Sequence, residues 1–251
     1  MAIPREIEGV KISGLAEEIW ANGTTIDTSL QEEFDADGMN DYRRCGVTAM
    51  FSTLGVLGPR GPMWAYENAL WEIAEYQGAF LRHSDVLTPA FNAADIRRAK
   101  QENKCAVVMG FQNAVALGYF PLSTYKDPAD RHISTLPQFY NLGVRWIQLT
   151  HNERNYLGNG STERRDDGLS DFGVAVVEEM NRLGILVDLA HCGPRTTADG
   201  IDFSKKPAIF THTACQSVFP HPRNKTDDLI RKLAERGGVI CIMTTRARAD
   251  S

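Results

Sequence analysis

The sequence predicts an α/β fold built on a parallel sheet, and three observations predict it. Short apolar or β-branched runs recur along the chain, at 24–26, 46–51, 105–111, 144–150, 185–189, 207–211 and 238–243. The clear runs are continuously apolar rather than alternating, which marks strands covered on both faces by helices. Helical stretches lie between them, and strand–helix alternation is the signature of a parallel sheet. Residues 67–81 carry Ala69, Leu70, Ile73, Ala74, Tyr76 and Phe80 at helical spacing. Residues 95–103 form a second helix, capped by Asn92 or Asp95. Ser170 opens a third through Val174, Val177, Met180 and Leu183, stopped by Gly184, and residues 227–236 make a fourth before Gly237-Gly238. Residues 1–23 read as a helical lead-in. The pattern allows either a closed barrel or an open doubly wound sheet. No glycine-rich phosphate loop follows the first strand, so the nucleotide-binding version has no support.

Composition narrows the setting. The chain has 251 residues, and 27 basic against 32 acidic side chains leave a net charge of −5, which favours neither nucleic acid nor an anionic membrane surface. No run reaches the roughly 18 apolar residues of a membrane helix. The opening residues Met1 to Glu6 lack the basic-then-apolar layout of an export signal. Five scattered cysteines without a C-x-x-C pair fit reduced thiols, and the expected location is cytoplasmic.

Three of the six histidines occupy one place in the repeating unit. His151, His191 and His212 each stand directly beyond an apolar run. In a parallel barrel the carboxyl ends of the strands share one mouth, where such enzymes do chemistry. Imidazoles gathered there make a metal or acid/base site the natural reading. His83, His132 and His221 lie in helix-like or loop segments and read as structural. Asp188 reads either as a buried hydrogen-bonding partner or as a residue that orients a ligand histidine. Cys192 and Cys215 read as packing residues, as do Trp64, Tyr66 and Trp71. Residues 119–132 read either as a wall over the mouth or as a surface loop. Asp35, Asp37 and Asp41 are spaced like the start of a calcium loop, but its twelfth position is Gly46 rather than glutamate.

Several longer phrases carry a resemblance. Residues 142–152, ending Leu149-Thr150-His151-Asn152, are similar to the fourth strand of the membrane (renal) dipeptidase family, the M19 metallopeptidases. So are Gly168-Leu169-Ser170-Asp171-Phe172-Gly173 and the run 181–191 that ends at His191. Residues 207–213, Pro222-Arg223-Asn224 and Asp227-Asp228 resemble the next unit. The resemblance implies a TIM-like (β/α)8 barrel of the metal-dependent hydrolase type, with a two-zinc site that hydrolyses dipeptides. It implies His191 and His212 as metal ligands, His151 as the group that steadies the oxyanion, and Arg223 as the partner of a substrate carboxylate.

Departures from the family pattern fall on the chemistry. Where the family has Asp-Gly-His-x-Asp, this chain reads Asp27-Thr28-Ser29-Leu30-Gln31, and Gln112 takes the place of the bridging glutamate. Neutral hydroxyls and amides are poor zinc ligands. The sequence stops just past the seventh strand, so residues 24–251 supply units 1 to 7 of one barrel domain, without the eighth or its aspartate. The exposed edge is open to a partner chain or a second copy. The expected function is a dipeptidase-like metallohydrolase that cleaves an amide bond of a small carboxylate-bearing substrate through a metal-bound water. It would hold one zinc rather than two, with Glu153 as a speculative third ligand beside His191 and His212. The alternatives are a metal-depleted binding or partner subunit, or a barrel with decarboxylase or lactonase chemistry.

Overall fold

A computed structural model describes residues 6–7, 10–11, 13, 23–30, 36–55, 65–118, 133 and 135–243. Its elements, in chain order, are β1 (Glu6–Ile7), β2 (Val10–Lys11), β3 (Ile26–Leu30), α1 (Ala36–Cys45), β4 (Ala49–Thr53), α2 (Tyr66–Arg82) and β5 (Leu87–Pro89). Next come α3 (Ala93–Glu102), β6 (Cys105–Phe111), a short 3-10 turn (Ala114–Leu117), α4 (Thr135–Asn141), β7 (Val144–Gln148) and α5 (Asp171–Leu183). The last are β8 (Leu186–Asp188), α6 (Pro194–Phe203), β9 (Ile209–Thr213), α7 (Asp227–Glu235) and β10 (Val239–Ile242).

Seven strands pair side by side in the order β10-β9-β8-β7-β6-β4-β3, every pairing parallel. This is the seven-unit, nearly closed barrel the sequence predicts. Among the described residues its end strands, β3 and β10, do not pair with each other. The gap is crossed from β3 to β9, where the Thr28 hydroxyl donates to the Thr211 carbonyl. The seven residues of β6 are all buried, as expected of a strand covered on both sides. Its alternate residues separate accordingly. Cys105, Val107 and Met109 join the main core with Ile73, Phe139 and Val176. Ala106 and Val108 join a smaller cluster with Phe51, Ala99 and Trp146.

The helix signals hold closely. Asn92 caps α3 by accepting from the main chain of Ala94 and Asp95, while Asp95 reaches back to Asn92 N, a reciprocal capping box. Ser170 caps α5 at Gly173 N, 3.0 Å away, and Gly184 ends it.

Four expectations change. The first strand begins at Ile26 and runs on to Leu30 rather than ending at 26, so Ser29 lies within it. The described part of the lead-in is extended, not helical: β1 and β2 pair antiparallel, as β-branched residues on either side of a glycine-containing pair favour. Strand β5 is absent from the sequence reading because three residues ending in proline carry little pattern; it takes the first half of the β6 edge whose second half pairs with β7. Trp71 is 38% exposed rather than a core residue, because it points off the apolar stripe of α2. Gln31, Asp35, Trp64, residues 119–132 and Asp250 lie outside the described residues. No described helix is long and apolar enough to cross a membrane.

Candidate active site

The three predicted strand-end histidines meet. His151 follows β7, His191 follows β8, and His212 lies in β9, so three consecutive units deliver them to one mouth. The rings of His151 and His191 stack, with centroids 4.1 Å apart and an interplanar angle of 23°. The His191 and His212 rings tilt at 58° with their Nε2 atoms 2.8 Å apart. Both of these histidines are buried, while His151 is half-buried.

Their surroundings are polar and ordered. His191 Nδ1 lies 2.7 Å from Asn152 Oδ1, and His212 Nδ1 lies 2.8 Å from Thr211 Oγ1. Thr211 Oγ1 donates to Asp188 Oδ2 at 2.6 Å, and Asp188 Oδ1 accepts from the main-chain N–H groups of Ala190 and Thr211. Asp188 is therefore the buried partner the sequence suggests. Desolvation dominates its titration and raises the carboxyl to about 6, although the hydrogen bonds from Thr211 and Ala190 pull the other way.

Arg223 lies against the histidine segments. Its guanidinium is buried, with Nη1 donating to Ala190 O at 2.6 Å and Nη2 to His212 O at 3.3 Å. It clamps the main chain of both histidine segments. Gln112 is buried just beyond β6, at the same mouth. Glu153 is exposed, because the chain turns outward after His151. Among the described residues no group of three or more His, Cys, Asp or Glu side chains assembles to hold a metal ion, so Glu153 does not complete a set with the histidines. Cys192 is buried; it accepts from Thr150 Oγ1 at 3.3 Å, and burial raises its thiol. Cys215 is half-buried.

One buried residue escapes the sequence reading altogether. Lys225 Nζ donates to Cys192 O at 2.7 Å and Thr197 Oγ1 at 2.9 Å, 5.2 Å from the centroid of the Phe210 ring. Nothing in Pro222-Arg223-Asn224-Lys225 signals an interior lysine. Burial pushes it down to about 8. Its folded value thus lies below its unfolded value near 10.4, so the unfolded chain holds more protons between these limits and stability rises with pH across them. From pH 7.5 to 10.5, wild type is expected to gain up to about 3 kcal/mol relative to Lys225→Met in urea unfolding. Parallel pH profiles for the two proteins would refute the assignment.

The two Nε2 atoms, 2.8 Å apart, offer a zinc-like ion two ligands of its preferred kind, fewer than the three or four protein ligands of a full zinc site. A bridged pair of ions needs a shared carboxylate, and the position to which the family resemblance assigns it is Gln112, whose neutral amide is a poor bridge.

Parallel strands with helices outside, and imidazoles grouped at their carboxyl ends, define a hydrolase-type α/β barrel. The sequence profile of the membrane dipeptidase family (peptidase family M19) matches residues 18–248, and the chain belongs to that family. An amidohydrolase from Pseudomonas aeruginosa superposes with a TM-score of 0.77 at 33% identity, over 90% of this chain and 63% of that one. A metallopeptidase from Rhodobacter sphaeroides, solved with a phosphinate mimic of the dipeptide L-Ala-D-Ala, shares the fold at 21% identity, with a TM-score of 0.68 over 81% of this chain and 63% of that one. An uncharacterized dipeptidase of Schizosaccharomyces pombe is 40% identical over 131 residues, 51% of this chain and 30% of that protein. The dipeptidase verJ of Clonostachys rogersoniana is 32% identical over 172 residues, 68% of this chain and 41% of that protein. The matched segments thus span well under half the length of these curated relatives.

Proposed function

We propose that the chain is the barrel of a dipeptidase-like hydrolase that cleaves an amide bond in a small substrate bearing a carboxylate. The observation that carries this reading is the 2.8 Å approach of the His191 and His212 Nε2 atoms at the strand-end mouth. These two residues would hold a single zinc-like ion. When bound, such an ion supplies Lewis acidity and lowers the pKa of a water toward neutrality. His151, stacked on His191, offers an N–H to the carbonyl oxygen as it gains charge. Arg223 supplies a guanidinium next to both ligand segments, where a substrate carboxylate would balance its charge. The free thiols suit a reducing, cytoplasmic setting.

A second reading, a metal-free binding subunit, draws on the lack of a third clustered ligand among the described residues. Metal analysis of the purified protein, alongside turnover of a dipeptide panel, separates the two. The hydrolase reading expects one ion per chain and turnover that chelation abolishes and zinc restores. Metal-free protein that binds dipeptides without cleaving them would establish the second reading instead.

A further inference from the structure

We infer that Asn152 and the Asp188–Thr211 pair are positioning residues that impose the same tautomer on both histidines, turning an Nε2 lone pair of each ring toward one shared cation. The inference rests on the metal reading above. It begins with proton accounting. Asn152 Oδ1 has no hydrogen to give, so at 2.7 Å from His191 Nδ1 it only accepts, and that nitrogen carries the proton. On the other ring, the single proton of the Thr211 hydroxyl goes to Asp188 Oδ2 at 2.6 Å. Toward His212 Nδ1, 2.8 Å away, Thr211 Oγ1 is left with lone pairs alone, and His212 carries its proton on Nδ1 as well.

Each neutral ring therefore presents a lone pair at Nε2. The two Nε2 atoms stand 2.8 Å apart, a hydrogen-bond distance, so lone pairs facing each other there need either a shared proton or a metal cation between them, and zinc affinity distinguishes the two. Two different devices on different elements thus produce one electronic result, which a loop tether alone has no need to do.

Both devices are held firmly. Asp188 is fully buried, and the main-chain donors Ala190 and Thr211 fix its carboxylate. Asn152 O accepts from Thr162 N at 3.0 Å and Thr162 Oγ1 at 2.7 Å, and Ser161 N donates to His191 O at 2.8 Å. The turn that makes these bonds closes through Gly160, where a Cβ would fall inside the carbonyls of His151 and Asn152. The amide of Asn152 and the imidazole of His191 are thereby locked to the same piece of main chain.

Histidine nitrogens of the 15N-labelled, metal-free protein report the tautomers directly, and chelator competition reports zinc affinity. At a pH where both rings are neutral, wild type is expected to show Nδ1–H on His191 and His212. Asn152→Leu should release His191 to a mixture of tautomers and weaken zinc binding roughly 10- to 100-fold, whereas Asn152→Asp keeps the acceptor and wild-type affinity. Thr211→Val should do the same through His212, with Thr211→Ser restoring both readouts. Nε2–H tautomers in wild type, or unchanged zinc affinity in both Asn152→Leu and Thr211→Val, would overturn the inference. If wild type shows the Nδ1–H tautomers yet takes up no zinc, the metal reading fails while the tautomer lock stands.

Discussion

Replacing His212 by alanine is expected to weaken zinc binding by roughly 100-fold or more while the barrel stays folded. Structural zinc sites with four ligands are worth about 10–16 kcal/mol, so one ligand carries roughly 3 kcal/mol, or about two orders of magnitude in affinity. The main-chain bonds of this segment survive the change, since Arg223 Nη2 contacts the His212 carbonyl and not its ring. Chelator competition measures the loss, with circular dichroism as the control for folding. On the proposal that His191 and His212 share one ion, His191→Ala and His212→Ala are expected to be strongly non-additive, the double variant binding little more weakly than either single one. An affinity within threefold of wild type in His212→Ala would remove the ring from the metal site.

Trp146→Ala is expected to destabilise the fold by about 3–5 kcal/mol, the range for large aromatic side chains deleted from a core. Trp146 is fully buried on β7, its ring 5.8 Å from that of Phe51 and its Nε1 donating to Val108 O at 3.0 Å. The strand beside it is cut to fit: Gly110 lies opposite Trp146 in register, and a Cβ there would run into the indole and the Trp146 carbonyl. Truncation leaves a cavity and an unpaired carbonyl together. Typical domains are stable by only about 5–15 kcal/mol, so the variant gives up a large share of the total. Urea unfolding at constant m-value measures it, and a loss below about 1 kcal/mol would show that the smaller cluster is not part of the cooperative core.

Much of this was legible in the residues. Continuous apolar runs reported strands buried on both faces, and the placement of His151, His191 and His212 just beyond three such runs located the mouth. Ser170, Gly184 and Asn92 marked helix ends because caps are local chemistry. The Asn152–His191 contact was not legible, since it joins residues 39 apart through the pleat and turn of two units. The burial of Lys225 and Arg223 was not legible for a related reason. Long basic side chains read as exposed or ligand-facing, and only the tertiary packing shows their donors pointed at interior carbonyls. Glu153 illustrates the reverse error: nearness in sequence to His151 does not carry it inward, because the chain turns away.

All three rings, with the Nδ1 partners of His191 and His212, come from one uninterrupted stretch of polypeptide, residues 151 to 212. The boundary between β3 and β10 is joined through Thr28, whose hydroxyl donates to the Thr211 carbonyl in β9. What completes that boundary therefore meets the cylinder wall at the same residue whose hydroxyl faces His212 Nδ1. During synthesis, the chemistry-bearing arc is already complete in sequence when β10 emerges, and β10 then adds its pairing along β9.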